Sequence, residues 1–550
     1  MEKNTKVTVT IEDMTEQGEG IGKVDGYTLF IKDTVIGDQV EAVVVKAKKT
    51  YGYGRALKIL IPSPDRVTPV CPVAGPCGGC QLQAMNYGAQ LAFKRKKVKD
   101  HLERLGGLRG VEVQPVIGMD HPWEYRNKAQ FPMGRAKDGH IACGFYAGRS
   151  HHIIETEHCM LGDPVNEKIT EMVKAHMAGF RIAPYDEESG KGLVRHILIR
   201  KGYATGQIMV CIVINGKKLP QAPLLVDVLK DIPGMTSITL NINTEKSNVI
   251  LGRELVNLYG PGYIVDRIGD IEYEISPLSF YQVNPVQTEK LYGTALEFAG
   301  LTGNETVWDL YCGIGTISLF LAKKAKQVYG VEIIPAAIEN AKQNAKRNGI
   351  RNAEFYVGKA EEVLPSHYDR VYRETGESLQ ADVIVVDPPR KGCDEALLST
   401  MIRMQPKRIV YVSCDSATLA RDLKILTGEG YRVERVQPVD MFPQGVHVET
   451  VCLLSKLSEA KHRIDVKLDM DELDVTTAET KATYEEIKAY VQEQTGLQVS
   501  NLYIAQVKRE CGIIERENYN KAKSVDAKQP QCPGEKRKAI IEALMHFEMV

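Results

Sequence analysis

The segment WDLYCGIGT, residues 308–316, is the strongest indication of the fold of this chain. It ends an apolar run that reads as a buried strand, and its two glycines form a turn in which the backbone can approach a ligand closely. A helix is predicted directly after the turn, over 317–324. From about 282 to 457 predicted strands alternate with predicted helices, and this alternation predicts a doubly wound, largely parallel α/β sheet.

Two more predicted strands end in residues that carry chemistry. VVDPPR, residues 385–390, places Asp387 at a strand end, and RIVYVSC, residues 408–414, ends on Cys414. Open α/β sheets bind ligands at the carboxyl ends of their strands, so both side chains are expected beside the glycine-rich turn. Most cysteines taken singly are inert buried thiols, but a thiol at a strand end, followed by the polar Asp415, favours a nucleophile.

A third strand end indicates which ligand the turn binds. Glu332 ends the next predicted strand, where a carboxylate can accept hydrogen bonds from ribose hydroxyls. The last glycine of a dinucleotide fingerprint is missing, because Ser318 stands in its place. We therefore predict an adenosyl ligand without pyrophosphate, S-adenosylmethionine, rather than NAD. A tight turn without a ligand is the alternative, and it leaves Glu332 and Asp387 unexplained.

A thiol beside a methyl donor indicates nucleophilic catalysis. Uracil is a matching electrophile, because thiolate addition to its C6 turns C5 into an enolate-like nucleophile that takes a methyl group. A base must then remove the C5 proton before the thiol is released. The candidate base is Glu449, which precedes a predicted last strand over 450–454, a placement that would bring its carboxylate near Cys414.

The cysteines predict a metal centre. Twelve cysteines in a long chain argue against a disulfide framework, and CPVAGPCGGC holds three of them, Cys71, Cys77 and Cys80. The polar surroundings of Cys159 make it a better fourth ligand than Cys143, which lies in a strand-like segment. Four thiolates fit a 4Fe-4S cluster or structural zinc. The spacing lacks the paired knuckles of most zinc sites, which favours the iron–sulfur cluster.

Length and composition set the broad class. A chain of 550 residues predicts several domains, and 43% hydrophobic with 26% charged residues is typical of a soluble protein. We find no apolar run long enough to cross a bilayer and no basic leader before an apolar segment, so we expect a cytoplasmic protein without a membrane partner. The net charge of -1 predicts that any nucleic-acid surface is local.

Two segments are candidates for such a surface. Residues 1–62 alternate apolar and polar positions and predict a small β-barrel, in which residues 46–55 interleave cations with aromatics. Residues 93–109 predict an amphipathic helix with seven cations against two acids. A solvated hairpin and a solvated helix face are the alternatives. Residues 110 to about 275 predict a mixed α+β domain.

From about residue 5 to 457 the chain resembles the S-adenosylmethionine-dependent RNA uracil-5-methyltransferases, and within them the iron–sulfur bacterial type that acts on 23S ribosomal RNA. The resemblance implies an RNA-binding TRAM domain, an OB-like barrel, over 1–62. It further implies a central iron–sulfur and RNA-binding domain over 63–281 and a Rossmann-like methyltransferase domain over 282–457. The target uracil would be single-stranded or flipped out of its stack, and the cluster would be structural.

The resemblance also implies individual roles. The 4Fe-4S ligands would be Cys71, Cys77, Cys80 and Cys159. The contacts to S-adenosylmethionine would be Gln282, Tyr311, Glu332 and Asp387. Phe280 would contact the substrate, Cys414 would be the nucleophile and Glu449 the proton acceptor. The chain departs from the family pattern at Tyr311, where some members have phenylalanine, at Thr316, where some have asparagine, and at Asp415-Ser416, which replaces Asn-Pro.

Residues 460–550 lie beyond the usual end of the family and predict a helical extension. An acidic linker, 465–479, leads to a capping box at 483–486 and to two helices that end near 494 and 512. The second helix carries Gln506, Lys508 and Arg509, and the pair resembles a helix-turn-helix. A helical hairpin that packs or binds protein is the alternative.

Two other functions compete with uracil methylation. RNA cytosine-C5 methyltransferases also use a cysteine, but they place one directly after an Asp-X-Pro strand end, where this chain has Arg390, with Cys393 three residues later. A non-catalytic iron–sulfur RNA-binding protein would leave the glycine-rich turn without a role. The sequence does not predict the modified uridine, the choice between 23S and transfer RNA, or the oligomeric state.

Overall fold

The structure is a computed structural model that describes residues 1–148, 150–376, 381–457, 484–511 and 532–547. The chain forms two compact units that divide near residue 458. Each unit has its own buried core. None of the helices within these residues combines the length and the apolar character needed to cross a membrane.

The first part of the larger unit is a closed barrel of five strands in the order β1-β2-β3-β5-β4. The strands are β1 (Lys6–Met14), β2 (Gly20–Val24), β3 (Tyr27–Lys32), β4 (Gln39–Ala47) and β5 (Tyr51–Ile61). Alternate residues point inward, so that Val9, Leu29 and Val40 are almost completely buried in its core. The predicted barrel is confirmed.

The helix that follows is α1 (Tyr87–Arg104). It begins six residues before the predicted start, because the Asn86 side chain accepts a hydrogen bond from Ala89 N at 2.9 Å and caps the helix there. It ends before Gly107, whose φ of 69° belongs to the left-handed region.

One cation of α1 is buried in an ion pair. Lys94 Nζ donates to Asp440 Oδ1 at 2.5 Å, and both side chains are fully buried. Lys94 also donates to Phe442 O at 2.9 Å, and Tyr87 Oη donates to Asp440 Oδ2 at 2.9 Å. The pair therefore joins α1 to the segment after residue 439.

Removal of one partner leaves the other charge buried and unpaired, at a cost of about 3–5 kcal/mol. We expect Lys94→Ala to lower the midpoint of thermal unfolding by about 5 °C or more. The matched control is Lys96→Ala on the same helix, whose side chain is 47% exposed in its pairs with Asp13 and Asp100 and should matter little. Equal midpoints for the two variants in differential scanning calorimetry would contradict a stabilising buried pair.

The central part holds a seven-stranded sheet in the order β12-β11-β10-β9-β6-β7-β8 and a separate β13-β14 hairpin. The elements are β6 (Lys128–Arg135), β7 (Ile141–Tyr146), β8 (Ile153–Glu155), α2 (Val165–Gly179), β9 (Val194–Lys201), β10 (Ile208–Ile214), α3 (Ala222–Leu229), β11 (Met235–Ile242), β12 (Glu254–Tyr259), β13 (Ile264–Ile268) and β14 (Ile271–Ile275). Every residue of β10 is buried, which explains its continuous apolar sequence. The α2 and α3 helices share one core with this sheet.

The last part of this unit is the predicted doubly wound sheet, in the order β17-β16-β15-β18-β19-β21-β20. Its elements are α4 (Pro285–Ala299), β15 (Thr306–Leu310), α5 (Thr316–Ala322), β16 (Gln327–Glu332), α6 (Pro335–Arg347), β17 (Ala353–Val357), α7 (Ala360–Thr375), β18 (Val383–Val386), α8 (Glu395–Met404), β19 (Arg408–Ser413), α9 (Ser416–Gly428), β20 (Tyr431–Val439) and β21 (Glu449–Lys456).

The direction of β21 decides where Glu449 lies. The β15, β16, β17, β18 and β19 strands pair in parallel, whereas β21 runs antiparallel to β19. Ser413, the last residue of β19, pairs with Thr450 near the start of β21. The first residue of β21 therefore reaches the sheet edge at which the parallel strands end.

The second unit contains α10 (Tyr484–Thr495), α11 (Asn501–Glu510) and α12 (Gly534–His546) around a small apolar core. The first two were predicted and α12 was not. Residues 465–479 and Thr483, which carry the predicted acidic linker and the start of the capping box, lie outside the described residues.

Two of the three side chains predicted for nucleic-acid contact in α11 serve packing instead. Lys508 is 2% exposed, and its Nζ lies 4.5 Å from the centre of the Tyr484 ring. Gln506 Oε1 accepts a hydrogen bond from Cys532 N at 3.0 Å. Arg509 is exposed. Lys508 is therefore used in packing, Arg509 stays accessible, and the helix-turn-helix resemblance remains a prediction.

Candidate active site

Cys414 lies in a short loop between β19 and α9. Asp415 caps α9, since its Oδ1 accepts from Ala417 N at 2.9 Å and from Thr418 N at 3.2 Å. Ser413 Oγ donates to Asp415 O at 2.9 Å. These local bonds close the loop tightly and leave the Cys414 thiol partly exposed.

The loop opens into a cavity of about 540 Å³. Its lining includes Glu16 and Gly18 of the barrel, Cys77 and Cys80, Lys97 of α1, and Cys414. The cavity therefore lies where the barrel, the cysteine-rich loop and the Cys414 loop meet. Its volume lies within the usual range of small-molecule binding sites.

Glu449 is buried directly behind this loop. Its side chain is 2% exposed, and its Oε2 has no hydrogen-bond partner among the residues that the structure describes. Burial raises the pKa of Glu449, the neighbouring Asp387 raises it further, and Arg390 opposes both effects. A buried carboxylate with a free oxygen and a raised pKa is suited to accept a proton.

Glu449, Asp387 and Arg390 also affect the pKa of the Cys414 thiol. Burial raises the pKa of Cys414 to about 12; the carboxylates of Glu449 and Asp387 add to this effect, and Arg390 counteracts it. Burial also raises the pKa of Asp387. The structure therefore brings Asp387, Cys414 and Glu449 together, and the thiol is protonated at neutral pH until a cation or a substrate changes its surroundings.

This electrostatic arrangement predicts opposite effects of two substitutions on alkylation of Cys414. Glu449→Gln removes the negative charge that this carboxyl carries above its raised pKa of about 8, so it lowers the thiol pKa and should raise the rate of iodoacetamide alkylation at about pH 9.5 by about tenfold. Arg390→Gln removes a positive charge and should lower that rate. Peptide mass spectrometry resolves Cys414 from the other cysteines, and two changes in the same direction would contradict the assigned charges.

The glycine-rich turn has the geometry of a ligand cradle. Tyr311 adopts a φ of 71°, a left-handed conformation that is costly for a tyrosine, and Gly313 and Gly315 also have positive φ. Tyr311 N and Cys312 N both donate to Val331 O at 3.0 Å, which ties the turn to β16. A Cβ at Gly315 would come within 3.2 Å of Phe355 and 3.3 Å of Ala341.

Two acidic side chains lie at the ends of the neighbouring strands. Glu332 Oε1 accepts from Ile334 N at 3.0 Å, at the predicted ribose position. Asp309, which the sequence reading did not single out, is fully buried, and burial raises its pKa to about 7 with further contributions from Asp387 and Glu332. Ser318, at the missing glycine position, donates to Asp309 Oδ2 at 2.5 Å. A cationic ligand would relieve the repulsion among these carboxylates.

The predicted substrate loop lies before α4. The Phe280 side chain is 70% exposed, and Gln282 is 7% exposed with its carbonyl accepting from Asn127 Nδ2 at 3.0 Å. Arg200 Nη2 donates to Ser279 O at 3.0 Å and ties this loop to β9. Phe280 and Gln282 belong neither to the cavity lining nor to the charged group around Cys414.

The four cysteines predicted as metal ligands are close enough to influence one another. Burial raises the pKa of Cys77, and it raises that of Cys80 to about 11; Cys71 and Cys159 add to both effects. Cys143 is buried on β7 beside Lys174 and Glu171 instead. Within the described ranges, however, no three Cys, His, Asp or Glu side chains stand in an arrangement ready to hold a metal ion. The donor set fits a thiolate-bound centre in its chemistry, and the structure does not show the centre itself.

Several cations that the sequence assigned to a candidate RNA surface form ion pairs within the protein. Phe30, Tyr51 and Tyr53 form an aromatic cluster on the barrel, with ring centres 5.6–6.0 Å apart. On α1, Lys96, Lys99 and Arg104 form ion pairs with acidic side chains of the chain itself. Lys97 faces the cavity. These ion pairs are mostly between residues one turn apart on α1, and the helix also packs against α9.

Comparison with known proteins gives consistent matches. A family model described as tRNA (uracil-5-)-methyltransferase matches residues 86–457, and a TRAM domain model matches residues 2–57. An uncharacterized RNA methyltransferase of Halalkalibacterium halodurans is 54% identical over 453 residues, 82% of this chain and 97% of the relative. One of Clostridium tetani is 48% identical over 462 residues, 84% of this chain and 98% of the relative.

A solved structure matches the same part of the chain. The tRNA (uracil-54, C5)-methyltransferase of Pyrococcus abyssi, in complex with S-adenosyl-L-homocysteine, is 30% identical, with a TM-score of 0.65. The match covers 82% of this chain and 100% of that structure.

Proposed function

Because the chain belongs to the tRNA (uracil-5-)-methyltransferase family, we propose that it transfers the methyl group of S-adenosylmethionine to C5 of a uracil in RNA. The observation that carries the proposal is the meeting of a thiol at a strand end, Cys414, with a buried carboxylate, Glu449, that has an unpartnered oxygen. A nucleophile and a base close to each other are the two groups that C5 methylation of uracil requires.

Cys414 acts as the nucleophile in this mechanism. Its partly exposed thiol gives its proton to solvent, and its sulfur forms a bond to uracil C6. The electron pair of the C5–C6 double bond moves into the enolate of the C4 carbonyl. S-adenosylmethionine supplies the methyl group that C5 then takes up, with S-adenosylhomocysteine as the leaving group. Arg390 favours the thiolate electrostatically, against the effect of the two carboxylates.

Glu449 completes the cycle. Its carboxylate accepts the C5 proton, the C5–C6 double bond re-forms, and the bond from Cys414 sulfur to C6 breaks. The net reaction releases one proton, and the thiol regains its own. The raised pKa of Glu449 means that the unliganded site holds this carboxyl largely protonated, so a cationic methyl donor beside Asp387 favours its ionised form.

Four residues are proposed to hold the donor. Glu332 would accept from the ribose hydroxyls, and Asp387 would face the positive charge of the donor. Tyr311 and Gln282 are proposed as further contacts, following the family pattern. The strained backbone at Tyr311 supports a turn shaped for a ligand, whereas the missing side chain of Gly315 allows close packing against Phe355 and Ala341.

The RNA substrate is proposed to be 23S ribosomal RNA, with the target base flipped into the cavity and with Phe280 stacking on it. The exposed ring of Phe280 and the aromatic cluster of the barrel support contacts with unpaired bases.

The test is incubation of the protein with labelled S-adenosylmethionine and unmodified transcripts of 23S rRNA and tRNA, followed by nucleoside analysis. We expect labelled 5-methyluridine from the 23S transcript. Labelled 5-methylcytidine would establish a cytosine enzyme instead, and no labelled nucleoside at all would reject the proposed activity. Labelled 5-methyluridine from the tRNA transcript alone would support the proposed reaction and reject 23S rRNA as the substrate.

We further propose that Cys71, Cys77, Cys80 and Cys159 hold a 4Fe-4S cluster that orders the cysteine-rich loop. Their mutual effect on pKa supports a shared centre, and thiolate ligands suit iron–sulfur. The reaction needs no electron, so the cluster would be structural.

The cluster predicts a broad visible absorption band and about four iron atoms per chain in anaerobically purified protein. Cys77→Ser should lose both, whereas Cys143→Ser, the matched control on β7, should keep both. Bound zinc and no visible band would show a structural zinc site instead of the cluster. Iron retained in the Cys77→Ser variant would show that Cys77 is not a ligand.

A further inference from the structure

His101 of α1 makes two short contacts that join three parts of the larger unit. Its Nδ1 lies 2.8 Å from Ser416 Oγ, and its Nε2 lies 2.8 Å from Glu16 Oε1. Glu16 lies between β1 and β2 of the barrel, and Ser416 is the first residue of α9. Glu16 and Ser416 both line the cavity beside Cys414.

The contacts form a directed chain of hydrogen bonds. A carboxylate can only accept, so Nε2 carries the proton that is donated to Glu16. In the neutral imidazole Nδ1 then accepts the hydroxyl proton of Ser416. The His101 side chain is 10% exposed and Ser416 is 2% exposed, so water competes little for the inner bond.

The chain of bonds reaches the loop that carries the nucleophile. Ser416 follows Cys414 by two residues, and the bonds made by Ser413 and Asp415 are local to the loop. The bond to His101 instead holds the loop against α1 and, through Glu16, against the barrel. A displacement of about 1 Å at a reacting atom is enough to cost about a hundredfold in rate.

Building on the proposed function, we propose that His101 is a positioning residue for Cys414: through Ser416 it fixes the loop of the nucleophile, and through Glu16 it makes that position depend on the barrel. The barrel thereby contributes to the chemical step as well as to RNA binding. His101 does not touch the reacting atoms.

The backbone at this point offers a way to replace the link. Ser416 stands at the first helical position, where proline is well tolerated because its missing N–H is unused there. Asp415 has φ -137° and ψ 105°, the extended conformation that a residue before proline prefers. Ser416→Pro can therefore stiffen the loop without His101.

The test measures kcat and KM with a 23S rRNA transcript and S-adenosylmethionine. His101→Ala should lower kcat by about 10- to 100-fold and leave KM for S-adenosylmethionine within about twofold. Ser416→Ala should give the same loss, and the double variant should lose no more than either single variant, because each breaks the same link. Glu16→Ala should lower kcat less than His101→Ala does, because the Glu16 side chain is half exposed.

The decisive variant is His101→Ala/Ser416→Pro, which should recover kcat to within about threefold of the wild type. His176→Ala, which removes a similarly buried histidine from α2, is the control and should change kcat by less than twofold. Unchanged kcat in His101→Ala, additive losses in the double alanine variant, or no recovery with proline would overturn the role. An inactive wild type would instead reject the proposed function, so the two failures are distinguishable.

Discussion

Replacement of Cys414 by alanine is expected to abolish methyl transfer, with a loss of at least about 10⁴-fold in kcat. The reason is that C5 of uracil becomes nucleophilic only after sulfur has added to C6, and alanine removes the atom that adds. Thermal unfolding should change little, because the thiol is partly exposed in its loop. The rate of labelled 5-methyluridine formation measures the effect.

The matched control is Cys393→Ala. Cys393 is 4% exposed, lies in the same domain and is the cysteine nearest in sequence to position 390, which a cytosine enzyme would use. We expect this variant to keep its activity apart from a modest loss of stability from the small cavity. Activity lost in Cys393→Ala and kept in Cys414→Ala would exchange the two roles and contradict the mechanism.

Glu449→Gln is expected to trap the reaction after methyl transfer. The amide keeps the shape of the side chain but does not accept the C5 proton, so sulfur stays bonded to C6. Turnover should fall by about 10³-fold, while a covalent complex of protein and RNA accumulates and survives denaturing electrophoresis. Glu429→Gln, an exposed carboxylate at the end of α9, should behave as the wild type. Loss of turnover without any covalent complex would place Glu449 before the addition step instead.

Much of the fold was predictable because it depends on local patterns. The alternation of apolar runs with helical segments from 282 to 457 predicted the parallel sheet, which the strand order confirms. The family resemblance is confirmed by the match over residues 86–457. The α12 helix was not predicted because the sequence at its start resembles a basic tail. Its apolar residues are buried only through packing against α10 and α11, which the sequence alone does not show.

The proximity of two candidate residues was predictable where each lies next to a strand end, and otherwise it was not. Glu449 was expected near Cys414, and the register between Ser413 and Thr450 gives the physical reason. The contact between His101 and Ser416 joins residues 315 positions apart, and no local pattern signals it. Lys94 was counted among the cations of a basic helix, but it is buried in an ion pair with Asp440, which is distant in sequence.

The central claim is one bond, from Cys414 sulfur to uracil C6. It is tested most directly with the wild-type protein, S-adenosylmethionine and a 23S rRNA transcript in which uridine is replaced by 5-fluorouridine. Fluorine at C5 leaves no proton for Glu449 to remove, so addition and methyl transfer should proceed and elimination should stop. We expect a covalent complex whose digestion yields the Cys414 peptide bearing a methylated fluorouridine nucleotide. The absence of that complex, or its attachment to another residue, would contradict the mechanism.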